Sequence, residues 1–382
     1  MTQQSSAAVP GVNKRFPPIL LASGHRPFFL AAGVFAALAM PVWLAAWLGR
    51  LPLSVGWHGH EMIFGFVGAA IAGFLMAAVP NWTQRAPLKG WPLLALVSCW
   101  IVGRLAMLLD AAVWLDLIFL PALALTVGWA IVRTRNVRNY SVPAMLLLLA
   151  VFNADFHFGD QYRALWMSTL VITALIVLIG GRITPLFTQN ALRKGVSAEI
   201  TCHTPPLLDR LAVPAVVLVL GVELFLPQSG WSGVAALIAA AVLGLRMAGW
   251  QTQHAWRYPI VWVLHVGYAW VPLGYLLLGL SMLTSVVEPT AALHALTAGA
   301  MGGMVLAVMS RAALGHSGRP LVTPRLTVAA YVLVNVGAAI RVFLPTGNGI
   351  LASGLLWSAG YLLFVIDYAP ILTRPRSDGR PG

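Results

Sequence analysis

Apolar runs of spanning length, each closed by a short polar or basic connection, recur from one end of the chain to the other. A helix that crosses a bilayer needs about 20 apolar residues. Runs of that kind begin near Pro27, Gly59, Trp91, Val113, Ser141 and Ala164, and again near Ala212, Trp231, Pro259, Ala291, Thr327 and Gly349. The pattern predicts an all-α, polytopic integral membrane protein of about twelve transmembrane helices. The longest polar connection lies between Gln189 and Arg210. It divides one membrane domain into helices 1–6 (residues 1–188), a cytoplasmic linker (189–211) and helices 7–12 (212–382).

Composition agrees with this division into spans. Of 382 residues, 59% are hydrophobic and 9% charged, a balance that excludes an ordinary soluble domain. The two cysteines, Cys99 and Cys202, form no CxxC pair, which argues against a disulfide framework or a thiolate cluster. A net charge of +13 raises the question of nucleic acid, but its distribution answers to topology instead. With the N-terminus inside, Lys14, Arg15, Arg85, Lys89, Arg133, Arg135, Arg138, Arg193, Lys194 and Arg210 all fall on the cytoplasmic side, as do Arg257, Arg311, Arg319, Arg325, Arg374, Arg376 and Arg380. Arg50 and Arg163 fall outside. The positive-inside rule therefore places both termini in the cytoplasm, with the lipid bilayer as partner and no role for nucleic acid. The residues before Pro17 lack the pattern of a cleaved signal peptide.

Chemistry concentrates in Trp57-His58-Gly59-His60-Glu61-Met62, at the mouth of the second apolar run. Histidine in a spanning helix faces the bundle interior and needs a partner. A similar segment lies downstream: at an offset of 234 residues, His60, Gly65, Gly68 and Arg85 map onto His294, Gly299, Gly302 and Arg319. This internal similarity suggests a duplication with a ligand held between the two helices. His60 and His294 enter the membrane on the same side, which suits axial ligation of one haem iron; packing through small residues with hydrogen-bonded histidines fits the same pattern. His58 is two residues from His60 and points about 200° away on a helix. Arg104 and Arg341 sit in apolar helices and need an anion; haem propionates, Asp110 or a carbonyl would serve.

Five segments together resemble the NnrS family: His58-Gly59-His60-Glu61-Met62, Pro80-Asn81-Trp82, Gly180-Gly181-Arg182-Ile183-Thr184-Pro185, Trp262 to Trp270, and Leu314-Gly315-His316-Ser317-Gly318-Arg319-Pro320. The resemblance implies a bacterial inner-membrane protein containing haem and copper, associated with denitrification and nitric oxide (nitrosative) stress. It strengthens a b-type haem bound by His60 and His294, with Arg104 and Arg341 on its propionates. Copper is the expectation at His58 with His157, whose ring would be oriented by Asp155 or Asp160. His265, His316 and His25 fall towards the other face and form a candidate second metal cluster, with Arg182 nearby. A more distant likeness is to subunit I of the haem–copper oxidases and nitric oxide reductases, although the paired histidines expected on helix 7 are absent.

The expected ligand is nitric oxide or a related nitrogen species, which is bound or redox-converted; an enzyme of this kind would be a haem/copper oxidoreductase. Nitric oxide is small, neutral and lipid-soluble, so a site within the membrane collects it directly. Two other classes fit twelve helices with internal similarity: a transporter of a small anion or metal, and a haem or copper delivery factor for nitrogen-oxide reductases. The sequence names neither a catalytic residue nor an electron donor.

Overall fold

The computed structural model describes residues 18–195 and 200–380. Lys14, Arg15 and the Lys194 side chain, counted above as cytoplasmic charges, lie outside them. The described residues are helical, without strands. Their main helices are α1 (His25–Trp47), α2 (Val55–Thr83), α3 (Trp91–Leu108), α4 (Val113–Arg133), α5 (Val137–Phe158), α6 (Gln161–Gly195), α7 (Pro206–Phe225), α8 (Gly230–Ala248), α9 (Pro259–Leu283), α10 (Pro289–His316), α11 (Arg325–Phe343) and α12 (Gly347–Thr373). All but α7 are long and apolar enough to cross a membrane. α7 carries Asp209, Arg210 and Glu223. Two of these charges have partners on neighbouring helices: the exposed Asp209 accepts from Arg246 of α8, and the buried Glu223 accepts from Trp166 Nε1 of α6 at 3.0 Å. The segment expected as a linker is largely helix, since α6 runs on to Gly195 and α7 begins at Pro206.

The helices form an outer layer around three inner ones. In α2, α6 and α10, 83%, 78% and 67% of the apolar window is buried, against 61% or less in the other apolar helices. These three touch one another, while among the outer helices α12 packs on α1, α4 on α5 and α8 on α9. All three inner helices are even-numbered and run in the same direction. Each is also the longest of its group of four, in α1–α4, α5–α8 and α9–α12. Small residues allow the close approaches. A Cβ on Gly267 of α9 would lie 2.9 Å from the backbone of Gly303 in α10, so the two chains meet there at glycine.

The duplication seen in the sequence extends to backbone geometry. The starts of α1 to α4, at His25, Val55, Trp91 and Val113, recur 234 residues later at Pro259, Pro289, Arg325 and Gly347. Both α2 and α10 open with one short α-helical stretch, Val55–His60 and Pro289–His294. Each then widens into a π-helical segment, Glu61–Val67 and Ala295–Met301, at the same offset. A π segment shifts the helical register and leaves backbone groups under-bonded, so it persists where surrounding structure holds it. Aromatic donors do so here: Trp100 Nε1 donates to Gly65 O at 3.0 Å, and the Tyr361 hydroxyl donates to Gly302 O at 2.9 Å.

Candidate cofactor and metal site

The N-terminal ends of α2, α6 and α10 enclose a cavity of about 430 Å³. Its entrance is set by the caps of two helices. The Ser54 hydroxyl accepts from Trp57 N at 3.1 Å and starts α2 one turn before His58. Pro289 opens α10 one turn before His294, where its fixed φ suits the first helical position. His58 and His294 both line this cavity, together with Met62, Arg341 and Trp357. His294 Nδ1 lies 2.7 Å from Thr290 O. A carbonyl only accepts, so Nδ1 carries the proton and Nε2 keeps its lone pair for a ligand. The His58 ring stacks on Trp43 with centroids 4.7 Å apart, and its buried Nδ1 has no hydrogen-bond partner. Among the described residues, no hydrogen bond or ion pair engages the Arg341 guanidinium.

This donor set fits a haem: two imidazoles, one with a free Nε2 and one with an orphaned nitrogen, in an apolar chamber with one uncompensated guanidinium. The pairing differs from that expected. His60 does not line the cavity; His58 takes its place opposite His294. The cause is the wide angular separation of neighbours i and i+2 on a helix. With His58 turned to the inner cavity, His60 is turned towards α4 and α5.

There His60 enters a largely buried polar cluster. Its Nδ1 lies 3.0 Å from Glu61 Oε1, and its Nε2 lies 3.1 Å from Asp116 Oδ2 and 2.9 Å from Asn153 Oδ1. His157 Nε2 also lies 3.1 Å from Asp116 Oδ2, and Asn153 Nδ2 donates to the same oxygen at 2.8 Å. Arg104 donates to both Glu61 and Asp116. One ligand atom each from His60, Asp116 and His157 lies within 4.8 Å of the others, so the three can hold a metal ion. Two imidazoles and a carboxylate are donors that copper accepts. His157 is therefore next to His60 and not His58. Asp155, proposed above to orient it, instead pairs with Arg163 at 2.7 Å. Arg104 belongs to this cluster and not to the cavity lined by His58 and His294, and its partners are Glu61 and Asp116 rather than Asp110.

The remaining histidines do not gather into one site. His265 is held through both ring nitrogens, by the Thr188 hydroxyl at 2.7 Å and the Thr252 hydroxyl at 2.9 Å. His25 and His316 are neighbours, with ring centroids 5.1 Å apart, and His25 Nδ1 meets Ser23 at 3.0 Å. His316 and Arg182 line a second cavity at the far ends of the inner helices. Three partners were missed in the sequence: Asp116, Asn153 and the Arg246–Asp209 pair. Asp116 had a visible signal, because a lone acid in Val113-Trp114-Leu115-Asp116-Leu117-Ile118 has no reason to sit in an apolar run unless it is paired.

The model of a family described as NnrS protein matches residues 19–376, nearly the whole chain. No curated protein matches it.

Proposed function

Since the chain belongs to the NnrS family of nitric-oxide-related membrane proteins, we propose that it binds a b-type haem in the cavity between α2 and α10 and handles nitric oxide there. His58 and His294 would hold its iron, and Arg341 would meet a propionate. The single observation that carries this proposal is the shared cavity, in which one imidazole has its Nε2 free and the other has an unpartnered nitrogen. Haem iron supplies ligation of nitric oxide and one-electron exchange when bound. The protein's own part is to fix the imidazoles through Thr290 O and the Trp43 ring, to exclude water with apolar walls, and to meet the propionate charge with Arg341. His60, His157 and Asp116 hold a copper ion beside it. We place the protein in the bacterial inner membrane, as the NnrS family implies, with both termini cytoplasmic, a topology that the basic connections support.

The test is an absorption spectrum with metal analysis of detergent-purified protein, expressed with ample haem. Wild type is expected to carry stoichiometric low-spin haem whose Soret band shifts on addition of nitric oxide. His58→Ala and His294→Ala each lose that haem. His60→Ala retains it and loses copper, as does His157→Ala. A haem lost on His60→Ala but kept on His58→Ala would refute the assignment of ligands. A wild type without haem would refute the cofactor.

A further inference from the structure

The second cavity, about 690 Å³, lies where α2 and α10 end and where α6 is about 31 Å from its start, so it faces away from the histidine pair. Arg182 of α6, Arg311 of α10 and Arg138 at the start of α5 all line it, with His316 beside them. No aspartate or glutamate lines it. Elsewhere in the bundle, Arg104 has Glu61 and Asp116, and Arg246 has Asp209. Among the described residues, the three cavity arginines have no carboxylate partner.

The Arg311 side chain is held in place without using up its donors. The Arg311 guanidinium lies 3.7 Å from the centroid of the Phe187 ring, a cation–π contact that fixes the group and leaves its N–H bonds free. Asn136 Nδ2 donates to Trp82 O at 2.9 Å, and Asn139 Nδ2 donates to Asn136 Oδ1 at 3.1 Å. The connection is thereby pinned to the end of α2, and Arg138 with it. Helix dipoles offset part of the charge. The C-terminal ends of α2 and α10 each contribute about half a negative charge. Asp209 offsets part of the charge of Arg182 at longer range, and the three guanidinium groups still leave the cavity with a net positive charge, with the Arg138 and Arg182 side chains exposed.

We propose that this cavity is an oxyanion site. It takes a trigonal or tetrahedral oxyanion group, either as a free inorganic anion or as the phosphate of an anionic lipid headgroup. Forked guanidinium groups match such oxygens in pairs. The site is separate from the haem cavity and does not depend on haem for its charge.

The experiment uses full-length protein in nanodiscs of zwitterionic phosphatidylcholine, titrated calorimetrically with inorganic phosphate and, separately, with nitrite. A parallel arm measures retention of phosphatidylglycerol by native mass spectrometry. Arg182→Gln and Arg138→Gln replace exposed side chains and keep the fold, and Arg311→Gln removes the third charge. Arg50→Gln, at the other end of the bundle, is the control. If the source is a free anion, wild type binds phosphate or nitrite in zwitterionic discs, and each cavity variant weakens binding about tenfold or more, the usual worth of one charged hydrogen bond. If the source is a lipid, phosphatidylglycerol is retained by wild type and lost by the same variants. Arg50→Gln changes neither. Absence of binding in both arms overturns the proposal, as does binding that the cavity variants leave intact. A haem spectrum taken on each variant separates failure here from failure of the haem assignment.

Discussion

Arg104 bridges two carboxylates that are each 1% exposed, so replacing it takes the guanidinium from both and leaves them to His60, His157 and Asn153. Arg104→Met keeps the aliphatic stem and removes only the charge and the donors. Breaking a buried ion pair by deleting one partner costs about 3–5 kcal/mol. Counting two charge-assisted hydrogen bonds at about 1.5–3 kcal/mol each gives about 3–6 kcal/mol, the same range. Neutral hydrogen bonds between membrane helices are worth only about 0.6 kcal/mol on average, so an effect of this size identifies the charges as its source. Arg104→Lys retains one charge but lacks the fork that reaches Glu61 and Asp116 together, and is expected to fall between wild type and Arg104→Met. The triple variant Arg104→Met, Glu61→Gln, Asp116→Asn removes both carboxylate charges and should recover at least half of the loss. The assay is reversible unfolding in mixed micelles, followed by far-ultraviolet circular dichroism. An Arg104→Met protein within about 1 kcal/mol of wild type, or a triple variant less stable than the single one, would refute this account of the cluster.

Further outcomes follow from individual contacts. A Cβ on Gly302 would lie 2.2 Å from the Trp357 ring, which lines the histidine cavity, whereas a Cβ on the equivalent Gly68 would meet Phe119 at an ordinary 3.7 Å. Gly302→Ala is therefore expected to destabilise by about 1–3 kcal/mol and to lower haem content per protein, while Gly68→Ala leaves both near wild type by thermal melt and absorbance. At the C-terminal tail, the Arg376 guanidinium beside Asp378 holds that carboxyl down at about 2, below its usual 3.8. A depressed folded value means that the contact contributes above pH 4 and fades as the pH falls towards 2. Exchange of the Ser377 amide, which donates to Ser317 O at 3.0 Å, should be protected and flat from pH 5 to 8 after correction for intrinsic rates, and Asp378→Asn should lose part of that protection.

Much of the architecture was legible in the sequence. The twelve apolar runs gave helix starts within several residues of those observed, because spanning length and hydropathy are properties of a linear segment. The 234-residue offset was also legible, since His60, Gly65 and Gly68 reappear as His294, Gly299 and Gly302. Its depth was not. That the offset reproduces four successive helix starts and both π segments depends on backbone hydrogen bonding, which residue identity does not record.

The candidate site divides along the same line. Sequence alone marked residues that need partners within the membrane: His58, His60, His157, His294, Arg104 and Arg341 are all too polar to face lipid unpartnered. It also placed His58 and His60 on different faces. Which face turns to which neighbour was decided only by packing. The three inner helices bring His58 and His294 to one cavity, and turn His60 to Asp116 and His157. The physical reason is that a helix fixes angles between its own side chains, whereas its rotation in a bundle is set by contacts from segments up to hundreds of residues away.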